Sequence, residues 1–442
     1  MTYVVLETIM TDDLLARHRA VLPAWVTPYY GDDALEIVAG SGRHVTDAAG
    51  KTYLDFFGGV LTNMLGYDIA EVREAVERQL ATGVVHTSTL YLIRGQVELA
   101  EKIARVSGIP DAKVCFTNSG TEANESALMF ATNKRRSNQV IAIKNSYHGR
   151  TLAAMAVTGH RSWGASQLNP LAVSWLSSGD RLRGRLAGLA DADAIDAAVD
   201  DLRETLATTT SGDVAALIAE PIQGVGGFVH APDGLLGAYK KVLDESGILL
   251  IADEVQTGWG RTGEHFWGYQ AHGVVPDLIT FAKGIGNGFA LAGVVGRGDL
   301  LNAVPATSFS TFGGNPVSTA AGNAVLDYVL EHDLQANALR TGTILLDGLR
   351  AVAAKTGIVG EVRGRGLMIG LEFVRPGTTD PDVPSTLRVF DECRRAGLLV
   401  GKGGLYGNVL RMGPPLTLTE AEARDGLAIL VEAIETVNAE AL

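Results

Sequence analysis

From about residue 95 the chain alternates between short, continuous apolar runs and longer stretches with apolar positions at helical spacing. The runs KVCFTN, QVIAIKN, VAALIAEP, ILLIADEV, DLITFAK and AGVVGR are apolar at successive positions, not at every second one. That texture belongs to strands covered by helices on both faces, as in a mostly parallel sheet. Between the runs, QVELAEKIARV, the stretch from Thr121 to about Asn133, and GLLGAYKKVLDESG carry the helical period. The predicted fold class is therefore α/β, a large domain on a mostly parallel sheet with a smaller α+β domain after it.

A helix is expected near residues 11–20, and LEIVAGSGRHVTDAAGKTYLDF reads as short antiparallel strands broken by Ser-Gly and Ala-Gly turns. Residues 180–212 contain a polar, alanine-rich surface helix followed by a loose loop. From about residue 318 the texture changes to long amphipathic helices, a strand pair within GIVGEVRGRGLMIGLEFV and a last helix after Thr419. The expected division is an N-terminal segment, 1–60, that packs with the small domain, a large domain at 61–317 and the small domain at 318–442.

Composition narrows the partners. With 442 residues, 46% of them hydrophobic and 20% charged, the chain can bury the core of an ordinary globular protein of two or three domains. A net charge of −13 and the lack of any run of lysines or arginines argue against nucleic acid or an anionic membrane surface, which leaves small molecules. Two cysteines, Cys115 and Cys393, make neither a disulfide framework nor a cysteine metal cluster, which fits a reducing cytoplasm. The N-terminus MTYVVLETIMTDDLLARHRA has acidic residues where a signal peptide carries its apolar core. No apolar stretch reaches the ~20 residues of a membrane span, so a soluble protein is expected.

Three polar sites interrupt the apolar runs. In FTNSGTEANESALMFA a strand ends at Asn118 and Ser119-Gly120-Thr121 opens a helix. The unpaired N–H groups and positive dipole end of such a helix offer a phosphate seat, although the same residues make a plain N-cap. In ILLIADEVQTGWGRTG, Asp253 and Glu254 follow an apolar run at the C-terminal edge of a predicted strand, where open α/β sheets bind ligands. In PDLITFAKGIGNG, Lys283 stands alone between a strand and a glycine-rich turn. A phosphate seat, a carboxylate to keep a pyridine nitrogen protonated and an amine to bond an aldehyde are the parts that hold pyridoxal 5′-phosphate (PLP).

The segments NSGTEANESAL, NSYHGRT, AEPIQGVGG, LIADEVQTGWGRTG, DLITFAKGIGNG and STFGGNPVS, in this order, resemble the class III aminotransferases among the fold type I PLP enzymes. The likeness runs from about residue 35 to the last helix, and EPIQGVGG with GLLVGKGGLYGNVLRMGPPL is most similar to the branch of alanine–glyoxylate aminotransferase 2 and related ω-amino acid aminotransferases. One departure is LGYDIAEV, where many relatives carry Gly-His followed by His-Pro.

The resemblance implies a role for each matching residue. Lys283 would bond the cofactor and shuttle the substrate proton, and Asp253 would partner the pyridine nitrogen. Val255 and Tyr147 would cover the two ring faces, Gln256 would bond the ring hydroxyl, and Glu220 would lend polar support. Ser119, Gly120 and Thr121 would hold the phosphate, joined by Thr311 from a neighbouring subunit, which implies an obligate homodimer; the 46.5 kDa subunit is compatible with either a dimer or a tetramer. Arg411 and Arg150 match arginines that grip substrate carboxylates, and Val60, Leu61 and Tyr91 lie in stretches expected to line the donor pocket.

Val225 stands where the 4-aminobutyrate and ornithine enzymes carry a glutamate that occupies the arginine matching Arg411. The expected reaction is therefore transfer of an amino group from an amino acid, ω-amino acid or amine to a small keto acid such as pyruvate or glyoxylate. Alternatives on the same scaffold are a lyase, an amino acid epimerase, a 2-oxoglutarate-dependent transaminase and a PLP-binding protein without turnover.

Overall fold

The computed structural model describes residues 13–166 and 168–441. Among them, seven strands form the main sheet in the order Ala112–Thr117, Ala292–Arg297, Leu278–Phe281, Leu249–Asp253, Val214–Ala219, Gln139–Ile143 and Ala172–Leu176. Every pairing from Leu278–Phe281 to Ala172–Leu176 is parallel, and Ala292–Arg297 runs antiparallel to both of its neighbours. The α/β class expected from the continuous apolar runs is the class observed. Val214–Ala219 and Leu249–Asp253 are buried at every position, because helices cover both faces of the sheet.

Helix Gly120–Arg135 packs on the sheet through Ala123, Ala127, Leu128 and Ala131. Helix Leu235–Glu245, with Leu236, Tyr239 and Leu243 inward, meets the face that also receives Asp191–Thr208. That last helix is the alanine-rich stretch expected at the surface; its Ala194, Ala198 and Leu202 form a buried stripe, while Asp191, Asp193, Asp196, Asp200 and Glu204 face solvent.

The predicted N-terminal strands are Ile37–Ser41, His44–Asp47 and Thr52–Asp55, in antiparallel order. The third pairs in parallel with Leu398–Leu399 from the C-terminal part of the chain. The predicted strand pair is Val359–Arg365 with Met368–Phe373, extended by Val409–Met412 and Gly401–Gly403. Helix Leu14–Val21 stands where a helix was expected near 11–20, of which residues 11 and 12 lie outside the described residues. No described helix is long and apolar enough to cross a membrane. In the departing stretch LGYDIAEV, the Tyr67 hydroxyl donates to Asp55 at 2.6 Å, a structural tie away from the central cavity.

Candidate active site

The C-terminal ends of the parallel strands open into a cavity of about 600 Å3. Strand Leu249–Asp253 delivers Asp253 to its floor, strand Leu278–Phe281 leads into Lys283, and helix Gly120–Arg135 points its N-terminus at it. Three segments far apart in sequence thus meet at one sheet edge, outside the carboxyl ends of the strands, where open α/β sheets bind their ligands.

Asp253 is almost fully buried. Its Oδ2 accepts from Asn124 Nδ2 at 2.8 Å and from His148 Nδ1 at 2.7 Å, and its Oδ1 accepts from Val255 N at 3.1 Å. A carboxylate accepts only, so the His148 ring proton toward it sits on Nδ1. Thr280 Oγ1 in turn donates to Asn124 Oδ1 at 2.7 Å, and Asn124 Nδ2 also reaches His148 O at 2.7 Å. Asn124 and His148 were not singled out by the sequence reading. A polar Asn on the otherwise apolar inner face of a helix and a His directly after Tyr147 were the signals available.

Lys283 adopts φ +50° and Val60 φ +66°. A left-handed conformation is rare for an L residue and an outlier for a β-branched one, and such strain concentrates at functional sites. Among the described residues the Lys283 ammonium finds one acceptor, Val60 O, at 3.4 Å. Desolvation by the cavity walls, helped by the nearby Arg411 charge, pushes its pKa down to about 8 against the opposing pull of Asp253 and Glu220. Glu220 accepts from Tyr147 N at 2.9 Å and from Gly224 N at 2.8 Å, and burial raises its pKa.

Ser119 caps the helix, accepting from Glu122 N at 3.3 Å, while Glu122 Oε2 accepts from Asn118 N at 2.9 Å. These bonds leave the N–H groups of Gly120 and Thr121 without an acceptor among the described residues. The Thr121 hydroxyl is engaged elsewhere, accepting from Arg150 N at 3.1 Å and Thr151 N at 3.3 Å. Gly149, at φ +144°, makes that turn possible, since a Cβ there would sit 2.3 Å from Thr121 Oγ1.

Val255, Gln256 and Tyr147 also line the cavity, and the buried Gln256 Oε1 has no donor. Tyr147 meets Trp163 edge-on at 5.3 Å. The fit to PLP is close: the helix N-terminus for a phosphate, Asp253 for a pyridinium nitrogen, Gln256 for a ring hydroxyl, and the Lys283 amine for an aldehyde. When bound, PLP supplies an electron sink that acidifies the Cα–H of an attached amine.

Arg411 lines the same cavity and is 4% exposed. Its Nη1 donates to Gly224 O and its Nε to Lys402 O, each at 3.1 Å, and Phe57 and Phe228 lie against the guanidinium at 5.3 and 5.6 Å. No carboxylate pairs with it among the described residues, and burial lowers its pKa. Arg150 stands at the exposed mouth, its guanidinium 5.4 Å from the Trp25 ring. Val60 and Val225 line the cavity. Leu61 does not, because its side chain packs with Ile222, Phe228 and Met368 in a separate apolar cluster. Tyr91 is 71% exposed and outside the cavity. Thr311 lies on an exposed loop that does not border this chain's own cavity.

A strand-end aspartate, a desolvated lysine and an N-terminal phosphate seat on this fold define a PLP-dependent enzyme acting on amines. The class-III aminotransferase family model matches residues 29–434, and the chain belongs to that family, as its motifs implied. It is 40% identical to alanine–glyoxylate aminotransferase 2 homolog 2 of Arabidopsis thaliana over 405 residues, 91% of this chain and 82% of the relative. It is 38% identical to the 5-aminovalerate aminotransferase DavT of Pseudomonas putida over 432 residues, 95% and 97% of the two chains. An amine transaminase from an uncultivated Pseudomonas species, solved with PLP bound, superposes with a TM-score of 0.85 at 32% identity over 93% of this chain and 96% of that one. The protein is an aminotransferase and its cofactor is PLP.

Proposed function

We infer that the enzyme moves an amino group from an amino acid, ω-amino acid or amine to a small keto acid such as pyruvate or glyoxylate. The observation that carries this reading is Arg411, a buried guanidinium fixed by two backbone carbonyls, with Val225 lining the same cavity and no carboxylate among the described residues to occupy it. Its remaining N–H groups suit the carboxylate of a compact keto acid. Lys283 Nζ moves the proton from the substrate Cα, Asp253 with His148 and Asn124 holds the charge at the ring nitrogen, and the Gly120 and Thr121 N–H groups anchor the phosphate. Arg150 at the mouth is placed for the distal carboxylate of an ω-amino acid donor, the kind of substrate named for the 5-aminovalerate relative.

The active unit in this reading is a homodimer, able to pair into a tetramer. Leu90, Tyr91 and Leu92 are 73%, 71% and 97% exposed, and Phe309 and Phe312 flank Thr311 on a neighbouring exposed loop. A second copy covers that patch and receives Thr311 near its phosphate seat. Residues 61–317 then form the large domain, and 318–442 with 1–60 the small one, a division supported by the pairing of Thr52–Asp55 with Leu398–Leu399. Free Cys115 and Cys393 fit a cytoplasmic site of action.

The test follows the PLP absorbance of purified holoenzyme while β-alanine, L-alanine or 4-aminobutyrate is added, and then pyruvate, glyoxylate or 2-oxoglutarate. Bleaching by a donor and recovery with pyruvate or glyoxylate is the expected result. Faster recovery with 2-oxoglutarate counts against the acceptor assignment, and a band that never cycles moves the lyase and epimerase readings ahead.

A further inference from the structure

The loop that follows strand Leu249–Asp253 carries a second buried arginine, Arg261, which takes no part in the chemistry assigned above and does not line the cavity. No carboxylate pairs with its guanidinium among the described residues. Burial lowers its pKa to about 10, so it keeps its charge at neutral pH. A lone buried cation is costly, and apolar residues of similar volume often serve a fold as well or better. Packing alone therefore does not account for Arg261.

What Arg261 grips is the sheet that carries Arg411. Its Nη1 donates to Leu367 O at 3.0 Å and to Pro414 O at 2.9 Å. Its own carbonyl accepts from Leu367 N at 3.0 Å, so one residue binds both backbone groups of Leu367. Leu367 immediately precedes strand Met368–Phe373, whose Gly370 lies opposite Arg411, and Pro414 follows closely on Arg411 in the chain. The two segments meet without a gap. Gly366 stands at φ +51°, and a Cβ there would sit 2.5 Å from Arg261 O and 2.6 Å from Thr262 C.

The other end of this connection is stiff. Gly260 N donates to Phe266 O at 2.8 Å, Gly263 N to Gly260 O at 3.0 Å and Thr262 Oγ1 to His265 O at 2.9 Å, which close the loop on itself. Trp259 is buried against Trp267 and Phe266, with ring centroids 4.6 and 6.0 Å away. Asp253, Val255 and Gln256 enter the cavity from the start of the same stretch. One loop thus joins the groups that suit the cofactor ring to the group that holds the Arg411 sheet.

We propose that Arg261 is a positioning residue for the keto acid. By holding Leu367 and Pro414 it fixes strand Val409–Met412, and with it the Arg411 guanidinium, relative to Asp253 and Lys283. It acts only through Arg411. Presetting that guanidinium matters because a displacement of ~1 Å in a reacting complex can cost ~10²-fold in rate. The inference rests on the substrate role given to Arg411.

The test compares wild type, Arg261→Met, Arg411→Lys and the double variant, each as holoenzyme in its pyridoxamine 5′-phosphate form, mixed with pyruvate in a stopped flow. The half-saturating pyruvate concentration is expected to rise at least fivefold in Arg261→Met and at least tenfold in Arg411→Lys. The double variant should be no worse than Arg411→Lys alone, because two residues that act as one unit are not additive. Arg261→Met should keep a native circular dichroism spectrum and PLP affinity within twofold of wild type. Effects that multiply in the double variant, or PLP affinity that falls in step with pyruvate affinity, overturn the positioning role and leave Arg261 a structural residue. So does a concentration unmoved in Arg261→Met while Arg411→Lys raises it. No reaction of wild type with pyruvate, or a concentration unmoved in Arg411→Lys, overturns the acceptor reading and this inference with it. If Arg261→Met does not fold, Arg261→Lys carries the same comparison, since it keeps the charge without the planar fork.

Discussion

Lys283 is held at φ +50° on a strand end, where its amine is half-buried among cavity walls and beside another cation. Its pKa falls from 10.5 to about 8, so the unfolded chain binds more protons than the native one between those values. Two consequences share one sign: apoenzyme stability rises with pH across that window, and the neutral amine needed to bond PLP accumulates as pH passes about 8. The rate of PLP capture by apoenzyme, followed by stopped-flow absorbance, should rise through about pH 8 and level off above it. A rate still climbing at the ordinary lysine pKa would show that the cavity does not depress it.

Val225 makes the second prediction at this scale. Val225→Glu sets a carboxylate beside Arg411, whose free N–H groups then have an internal partner. The KM for pyruvate should rise at least tenfold, about 1.4 kcal/mol, with a smaller change in kcat. An unchanged KM would mean that Arg411 does not bind the acceptor. Lys283 and Asp253 were legible in the sequence because each is a polar residue closing an apolar run, a local signal. Asn124 and His148 were not, since their bond to Asp253 exists only once a helix and two strand ends are brought together.

Helices and strands were legible for the same reason wherever their pattern was local. The apolar runs placed the main strands, but AGVVGR reads identically in either direction, and only the structure shows Ala292–Arg297 antiparallel to its neighbours. The loop after strand Leu249–Asp253 is organised by Glu254, which the sequence left open between a ligand candidate and a loop acid. Glu254 is fully buried, and its carboxyl accepts from the Thr257 hydroxyl at 2.5 Å, Gly268 N at 2.9 Å and Tyr269 N at 2.6 Å. Burial still outweighs these donors and raises its pKa from 4.5 to about 7. The native state thus keeps a proton that the unfolded chain releases, and the stabilisation, full below about 4.5, is lost as pH rises through about 7. Urea midpoints measured across that range should fall with pH in the wild type and fall less steeply in Glu254→Gln, which cannot titrate. Glu254→Ala leaves three donors unmet and should cost about 3 kcal/mol or more at any pH in the range. Equal slopes in all three proteins would remove Glu254 from the account.

At the scale of the whole molecule, the least satisfied feature is apolar surface in the open. Leu92 is 97% exposed, and Leu90 and Tyr91 are 73% and 71% exposed. Phe312 is 59% exposed and packs its ring 4.8 Å from His86, which joins the loop around Thr311 to the segment that leads into Leu90–Leu92. A monomer rarely leaves such a patch uncovered, whereas a homodimer buries it. Thr311 lies on this surface and borders no part of its own chain's cavity, so in the proposed homodimer it would meet a phosphate only in the second copy. Replacing both Leu92 and Phe312 by Asp puts charges where the interface must desolvate, which should shift the protein from dimer to monomer in sedimentation velocity. Circular dichroism should remain native, because neither side chain is part of a core. If Thr311 completes the phosphate seat across the interface, the monomer should bind PLP at least tenfold more weakly and lose turnover in proportion. A monomer that keeps wild-type PLP affinity would place the whole cofactor site within one chain.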